Sequence, residues 1–491
     1  MKKRGVGIAL VIVVSLLVFI VSSHETGNEK YAFALPGGKM VFVSIDFTDD
    51  PENHKWNSIQ EGINDAEEGD IVYVFAGIYP ENIFINKSIT LLGENATVDG
   101  GGALYTVTIL ANNVKIKNME IAHGKKAGLY IGNYSHVTIE NCDIYGNSEY
   151  GIFAFSSNGN TFLNCSLYNN QKGGAYFVLS DENSILNSEI DGGDWGIVFQ
   201  NCSNCHIKNS FLLNHENKSI NISGSNEIFV TNCTIYGSFC AIRLRASQNS
   251  VIDGCIIKQN IIGIRIDGST SNTIKNCHIE ENVGYGIYAG EYNGILSQNN
   301  VIHHNNIIDN GNNAYDEGSN AWNTHIGNYW DDYSGNDTNG DGIGDTPYNI
   351  PGGYAMDNNP LMYPIQSPPL FVWVDDDFTP SSPGWGNDQF NTIQEGVDAV
   401  LENGTVYVYN GSYDTTNSIL IEKSLTLKGE GDVSLHSSSN GLFIQAENVN
   451  ISGINIESAE NGIKIVNSHD VIIKNCTSHG AHPMERLLGC I

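Results

Sequence analysis

At 491 residues the chain exceeds what one ordinary compact core supports, so several domains or one elongated repeat array are expected. Its 53 glycines against 12 prolines, with Ile/Val-rich stretches separated by Asn, Gly and Ser, read as many strands and turns and exclude a mainly helical protein. A formal charge of −31 excludes a nucleic-acid partner, which needs clustered Lys and Arg, and 41% hydrophobic residues in regular patterns exclude disorder as the source of the acidity.

Lys2, Lys3 and Arg4 precede an unbroken apolar stretch from Gly5 to Val21, followed by Ser22 and Ser23, which reads as an export signal. Its apolar length lies between that of a cleaved signal and the roughly 20 residues that span a bilayer. Residues 1–40 are therefore assigned as signal peptide or membrane anchor with its leader. The bulk of the chain is expected outside the cell or on its surface, with residues 5–21 as the membrane contact if the signal is kept.

Ser58 to Ala66 follow, with Ile59, Ile63 and Ala66 on one helical face ahead of a strand at Ile71 to Phe75. This predicts a short helix capping the N-terminal end of a solenoid. Segments such as "VTIENCDIYGN", "NTFLNCSLYNN", "IFVTNCTIYGS" and "NTIKNCHIEEN" then recur at a step of about 22–23 residues. One column holds Cys142, Cys165, Ser188, Ser210, Cys233, Cys255 and Cys277, each but Cys255 preceded by Asn. A second holds Gly128-Leu129, Gly151-Ile152, Gly174-Ala175, Gly196-Ile197, Ser219-Ile220, Ala241-Ile242, Gly263-Ile264 and Gly286-Ile287. Short strands at this spacing leave no room for a helix in each coil, and Leu does not dominate, so a leucine-rich repeat fits poorly. The predicted fold is all-β: a right-handed parallel β-helix with three short strands per coil, spanning 41–320. Its cysteines are expected to form a buried, inert stack.

Residues 321–363 form an Asp/Asn/Gly-rich capping segment. Within it Asp337, Asn339, Asp341, Ile343 and Asp345 stand at loop positions 1, 3, 5, 7 and 9, with Gly342 at 6, in the manner of a calcium loop. Tyr348 stands at position 12 where a bidentate acid is usual, so Asp331, Asp332 or Asp357 is expected to complete the shell. A proline linker, 364–370, leads to a second, shorter β-helix at 371–491, whose "NTIQEGVDAV" opening repeats "NSIQEGINDA" from Asn57 and whose ending reads as truncated.

Period-two alternation beside the Gly-Ile column sends Tyr130, Phe153, Tyr176, Arg243, Arg265 and Tyr288 outward, and two residues on Phe155, Arg245 and Asp267. Three of the five arginines thus meet on adjacent coils, with Asp267 expected beside Arg245 and diagonal to Arg243. The face suits an acidic or neutral glycan, or a purely structural ion cluster. For hydrolysis Asp267 lacks an acidic partner, which leaves Asp267 and Arg265 as the only catalytic candidates. "CSNCH", Cys202 to His206, matches a haem-attachment pattern but falls on ladder positions, with His206 outward on a strand. His278, His303, His304 and His325 occupy successive coils without a spacing that selects a metal geometry. Asn86, Asn133 and Asn336 open N-x-S/T triplets; those at Asn164 and Asn232 lie in the column beside the core and are expected to stay unmodified.

The capped opening, the NTI-x-NC and GI-x-I coils, and "GNYWDDYSGNDTNGDGIGDTPYNI" followed by Asp357-Asn358-Asn359-Pro360-Leu361 resemble the pectate-lyase-like β-helix superfamily, in particular NosD-type surface proteins with PbH1 repeats. The resemblance covers nearly everything after residue 40 and implies export; copper, carried on the four histidines, is its implied cofactor. One fold hosts many activities, so function rests on the sites. The leading expectation is a non-catalytic cell-surface or secreted protein that binds an extracellular polysaccharide and has a calcium-stabilised cap. The alternatives are a lyase or hydrolase on acidic glycans and a periplasmic or extracellular copper-binding accessory protein.

Overall fold

A computed structural model describes residues 38–365 of a first unit and, in a second, residues 369, 371–379, 382, 388–466, 468 and 470–482. Residues 1–37, which hold most of the expected export signal, lie outside the described residues.

The first unit is a right-handed parallel β-solenoid. Each full coil lays down three strands, for example Tyr150–Phe155, Thr161–Leu163 and Ser166–Tyr168. These build three ladders, named A, B and C in that order. Ladder A stacks Leu129, Ile152, Ala175, Ile197, Ile220, Ile242, Ile264 and Ile287 in register. Every one of these is buried, and so are their alternate partners Ile131, Ala154, Phe177, Phe199, Ile222, Leu244, Ile266 and Ala289. Burial of one face of every strand fixes the register, because a one-residue slip would turn the apolar set into water.

The corner between B and C explains the Asn-Cys column. Asn141, Asn164, Asn187, Asn209, Asn232 and Asn276 have φ of 51–54°, the left-handed conformation that Asn tolerates and most residues do not. The chain turns there, and the following Cys or Ser points inward. Cys165 Sγ donates to the carbonyl of Ile139 one coil back, 3.5 Å away, and the column cysteines are free and buried. The asparagines themselves look outward: Asn164 is exposed and donates to Asn141 Oδ1 at 3.2 Å. The expectation that Asn164 and Asn232 sit beside the core is therefore corrected, since a left-handed residue at a corner throws its side chain away from the axis. A second kind of Asn ladder is buried, with Asn160 donating to Asn183 and Asn272 to Asn300, both at 2.8 Å.

Helix α1, Ile59–Asp65, lies against the first coils with Ile59 and Ile63 in the core. The Glu81 carboxylate takes the N–H groups of Ile59 and Gln60 at its positive end, at 2.9 and 3.0 Å. Lys87 Nζ donates to the carbonyls of Asn64 and Ala66 at the other, at 2.7 and 2.6 Å. Gly62 is required because a Cβ there would come within 2.5 Å of Val43 Cγ2. The second unit has its own core, from Val372 to Ile463, and its own helix α2, Ile393–Ala399, whose C-terminal carbonyls receive Lys423. The "INKS" and "IEKS" segments of the two openings thus supply the same lysine clamp.

Beyond its last coils the first unit is closed by Trp322 and Trp330, both buried. Asp316 accepts Trp322 Nε1 at 2.9 Å and Asp357 accepts Trp330 Nε1 at 3.0 Å. Among the described residues no helix is long and apolar enough to cross a membrane.

Candidate functional site on ladder A

Ladder A carries the expected outward column in register: Thr108, Tyr130, Phe153, Tyr176, Val198, Asn221, Arg243, Arg265, Tyr288 and Tyr315, with Tyr105, itself paired with Ala127, laying its ring against Tyr130. Coils repeat at ~4.8 Å, within the roughly 4.5–7 Å between the centroids of packed aromatic rings, so in-register aromatics stack on one another. Tyr105 and Tyr130 lie 4.3 Å apart and within 10° of parallel; Phe153 and Tyr176 lie 5.7 Å apart at 21°. Lys126 covers Phe153 at 4.8 Å. The ring faces are therefore occupied within the column, and edges and hydroxyls look outward. Tyr176 OH, for instance, donates to Gln200 Oε1. Phe155 stands beside this stack, exposed, opposite Gly132 and Val178.

Three coils beyond Tyr176, the column changes character. Asp267 is 1% exposed and takes Arg243 Nε at 2.7 Å and Arg265 Nε at 2.9 Å. Arg243 and Arg265 are neighbours in register, and a shared carboxylate offsets their repulsion. Arg245 faces Asp267 in register but does not pair with it; it donates to Ser223 Oγ at 2.7 and 3.0 Å and lies 5.2 Å over the Tyr292 ring. Tyr288 is sandwiched between Arg265, at 5.2 Å, and Tyr315, at 5.3 Å and 6°. Lys218 completes the cluster, half-buried against Trp195, and burial followed by the nearby Arg243 pulls its ammonium below the usual lysine range. Asn221, between the two halves, is 3% exposed, and its Oδ1 has no partner among the described residues.

Tyr292 belongs to a feature that repeat-matching passes over. The strand Tyr285–Tyr292 turns back into Ile295–Leu296 as an antiparallel hairpin. The step from Ile287 to Ala314 is 27 residues, against 23 from Ile264 to Ile287, and that lengthening is the available signal. The hairpin folds over Gly268 and Arg245 and walls the cationic cluster on one side.

The Asp337 loop is folded around its own acids. Asp337 accepts the N–H groups of Gly340 and Gly342 at 2.7 and 2.9 Å, Asp341 that of Ile343 at 2.9 Å, and Asp345 that of Thr338 at 2.8 Å. These backbone bonds gather oxygens while leaving lone pairs free, and the Thr338 hydrogen bonds hold the Asp345 carboxyl below its usual range. The three acids expected to complete a shell are engaged elsewhere. Asp331 accepts Asp309 N at 2.9 Å, Asp332 accepts Tyr348 OH at 3.2 Å, and Asp357 is buried in the closing segment.

Residues 168–335 match the family described as periplasmic copper-binding protein (NosD), and residues 105–214 match the right handed beta helix region. Both matches lie within the first unit and agree with its right-handed β-solenoid. Over 87 residues the chain is 38% identical to the cell surface glycoprotein of Methanothermus fervidus, which is 17% of this chain but only 14% of that relative. Among solved structures it resembles the A-module of the mannuronan C-5 epimerase AlgE4 of Azotobacter vinelandii, with a TM-score of 0.41 and 16% identity over 58% of this chain and 99% of that one. It also resembles the PL6 family alginate lyase AlyGC, with a TM-score of 0.40 and 13% identity over 89% of this chain and 75% of that one.

Within the matched region, His303 and His304 meet Nδ1 to Nδ1 at 2.7 Å, and His325 lies with its ring 6.1 Å from that of His304. Burial first, then the neighbouring imidazole, pulls His303 and His304 below the usual histidine value. His278 pairs instead with Glu280 at 2.9 Å. Among the described residues no three His, Cys, Asp or Glu side chains converge in metal-ligand geometry. In "CSNCH" both Cys202 and Cys205 are buried and donate to backbone carbonyls, Cys202 Sγ to Gln200 O and Cys205 Sγ to Ser180 O, both at 3.4 Å, and the neighbouring Cys202 followed by burial pushes the Cys205 thiol up. His206 stacks on Phe229 at 4.8 Å, so these residues belong to the ladder.

Proposed function

We propose that the protein is an exported, non-catalytic surface β-helix that binds an acidic polysaccharide along ladder A. The observation that carries this reading is the clustering of Lys218, Arg243, Arg245 and Arg265 on adjacent coils, where Arg243 and Arg265 share the one buried carboxylate of Asp267, on a chain whose formal charge is −31. Asp267 neutralises one of these four charges, and guanidinium groups match the planar carboxylates of uronic acids. Because the aromatic faces are stacked on one another, recognition runs through ring edges, hydroxyls and cations rather than through sugar–ring stacking. Catalysis by Asp267 is disfavoured, since both arginines occupy it and it has no free acid beside it. Lys218→Gln with Arg245→Gln leaves both Asp267 ion pairs in place and is expected to weaken binding of a polyuronate by about tenfold or more. Binding measured by titration calorimetry that is unchanged in this variant, or as tight for a neutral polymer, would sink the reading.

The Asp337 loop is proposed to take calcium through Asp337, Asn339, Asp341, Asp345 and the Ile343 carbonyl, tying down the closing segment. Calcium is expected to raise the melting temperature of the parent and not of Asp341→Ala, whose calcium-free melting stays near that of the calcium-free parent. A parent that melts at the same temperature in calcium and in chelator counts against the loop. Copper is the second reading; the family match over 168–335 and the approach of His303, His304 and His325 favour it.

A further inference from the structure

We propose that Asn133 and Asn201 are acceptors for N-linked glycan on the corner between ladders A and B. Both open the required triplet, Asn133-Tyr134-Ser135 and Asn201-Cys202-Ser203. The corner is a column of left-handed residues: Asn133, Ser156, Leu179, Asn201, Gly224, Ala246 and Gly268, with φ between 48° and 62°. That conformation turns each side chain out of the solenoid, and both asparagines are exposed. Their backbones are nevertheless held, Asn133 N by Phe155 O at 3.0 Å and Asn201 N by Ser223 O at 2.9 Å. A bulky group added here meets solvent rather than core, and it hangs from a fixed point.

Free side-chain amides separate these two from the triplets at Asn164, Asn217 and Asn221; Asn86, Asn95 and Asn336 also open exposed triplets, away from this corner. Neither Asn133 nor Asn201 has a side-chain hydrogen bond among the described residues, and Gly224, one coil on, leaves room for the Asn201 amide, whose Oδ1 would lie 2.5 Å from a Cβ there. Asn221, by contrast, is buried. Asn217 Oδ1 is held by Lys218 Nζ at 2.5 Å, and Asn164 Nδ2 is committed to Asn141. The donor is an oligosaccharide carried on a lipid phosphate. Asn Nδ2 forms a bond to the sugar C1, the C1–O bond breaks, the lipid phosphate leaves with the electron pair, and the amide nitrogen gives up one proton. Beside the cationic coils the same corner holds Gly224, Ala246 and Gly268, so glycans would border the aromatic half of the face and leave the arginines open.

In a cell the transfer rests on the exported reading, but the chemistry can be tested apart from it. The purified full chain, incubated with an oligosaccharyltransferase and a lipid-linked oligosaccharide, is expected to gain glycan mass on the peptides of Asn133 and Asn201 and none on those of Asn217 and Asn221. Asn133→Gln and Asn201→Gln should each remove one glycan and leave the circular dichroism unchanged. Unmodified Asn133 and Asn201 overturn the proposal, as does modification of Asn221 in the folded chain to the same extent. Where the full-length chain travels on expression is measured separately, so a failure of export is seen as such and leaves this result standing.

Discussion

Asp357→Ala is expected to destabilise the first unit by about 3–5 kcal/mol, the cost of stripping a buried charged acceptor from its donors, seen as a fall in the denaturant midpoint of tryptophan fluorescence. Asp357 is fully buried and accepts from Asn328 N at 2.7 Å, Trp330 Nε1 at 3.0 Å and Asn359 N at 3.0 Å. Its place follows from the Asn ladder. Cys277 N donates to Asn305 Oδ1, Asn305 N to Asn328 Oδ1, and Asn328 N to Asp357 Oδ2. Each coil thus borrows an acceptor from the next, and the last coil needs one that lies outside the repeat. Alanine leaves two amides and an indole N–H buried without partners. Asp357→Asn keeps one acceptor oxygen and should cost clearly less; equal losses for the two variants would mean that packing, not the carboxylate, holds the segment. Burial, opposed by the Asn328 N–H, raises the Asp357 carboxyl above its usual value. An acid raised on folding loses its stabilising contribution as pH rises, so mild acid should not release this closure.

Much of this architecture is legible in the sequence because a solenoid writes each contact as a spacing. The Gly-Ile step locates every inward residue of ladder A from Leu129 to Ile287, and it brings Arg243, Arg265 and Asp267 together without any coordinates. What spacing does not carry is direction. It places Tyr130, Phe153 and Tyr176 on the outside but does not say that a ~4.8 Å repeat makes them stack along the axis and present edges. It puts Asp267 beside Arg245, whereas the longer diagonal reach to Arg243 and the in-strand reach of Arg265 win both oxygens. Residues outside the repeat are the least readable. Asp357 reads as a spare loop acid because its partners, Asn328 and Trp330, lie 29 and 27 positions earlier on a different coil. The left-handed corners are marked by Asn, yet the same mark serves an exposed column and a buried ladder, and only the fold separates Asn164 from Asn160.

Acidification from pH 6.5 to 4 is expected to remove about 3 kcal/mol from the first unit through one residue, His215, since each tenfold difference in proton affinity between the folded and unfolded chain is worth about 1.36 kcal/mol. Its ring is 1% exposed, Nδ1 meets Ser219 Oγ at 3.1 Å, and Nε2 has no partner among the described residues. Gly196 lies against it so closely that a Cβ there would be 2.8 Å from Nε2. Burial therefore lowers the imidazole from 6.5 to about 4. The unfolded chain takes up a proton as pH falls through 6.5, while the folded chain refuses it until about 4. Stability is complete above the unfolded value and lost across that window, a range distinct from the more acid one in which the depressed carboxyls of Asp65 and Asp99 would be protonated. His215 occupies a buried corner otherwise lined by Asn147, Asn170, Asn260 and Asn282, and its own N–H passes to Ser238 and then to Asn260. His215→Asn restores the ladder residue and should flatten the dependence of the denaturant midpoint on pH between 6.5 and 4. The partly buried His206, His303 and His304 are lowered in the same direction and leave a residual slope. A variant as acid-sensitive as the parent would assign the whole effect to those surface rings and remove His215 from the account.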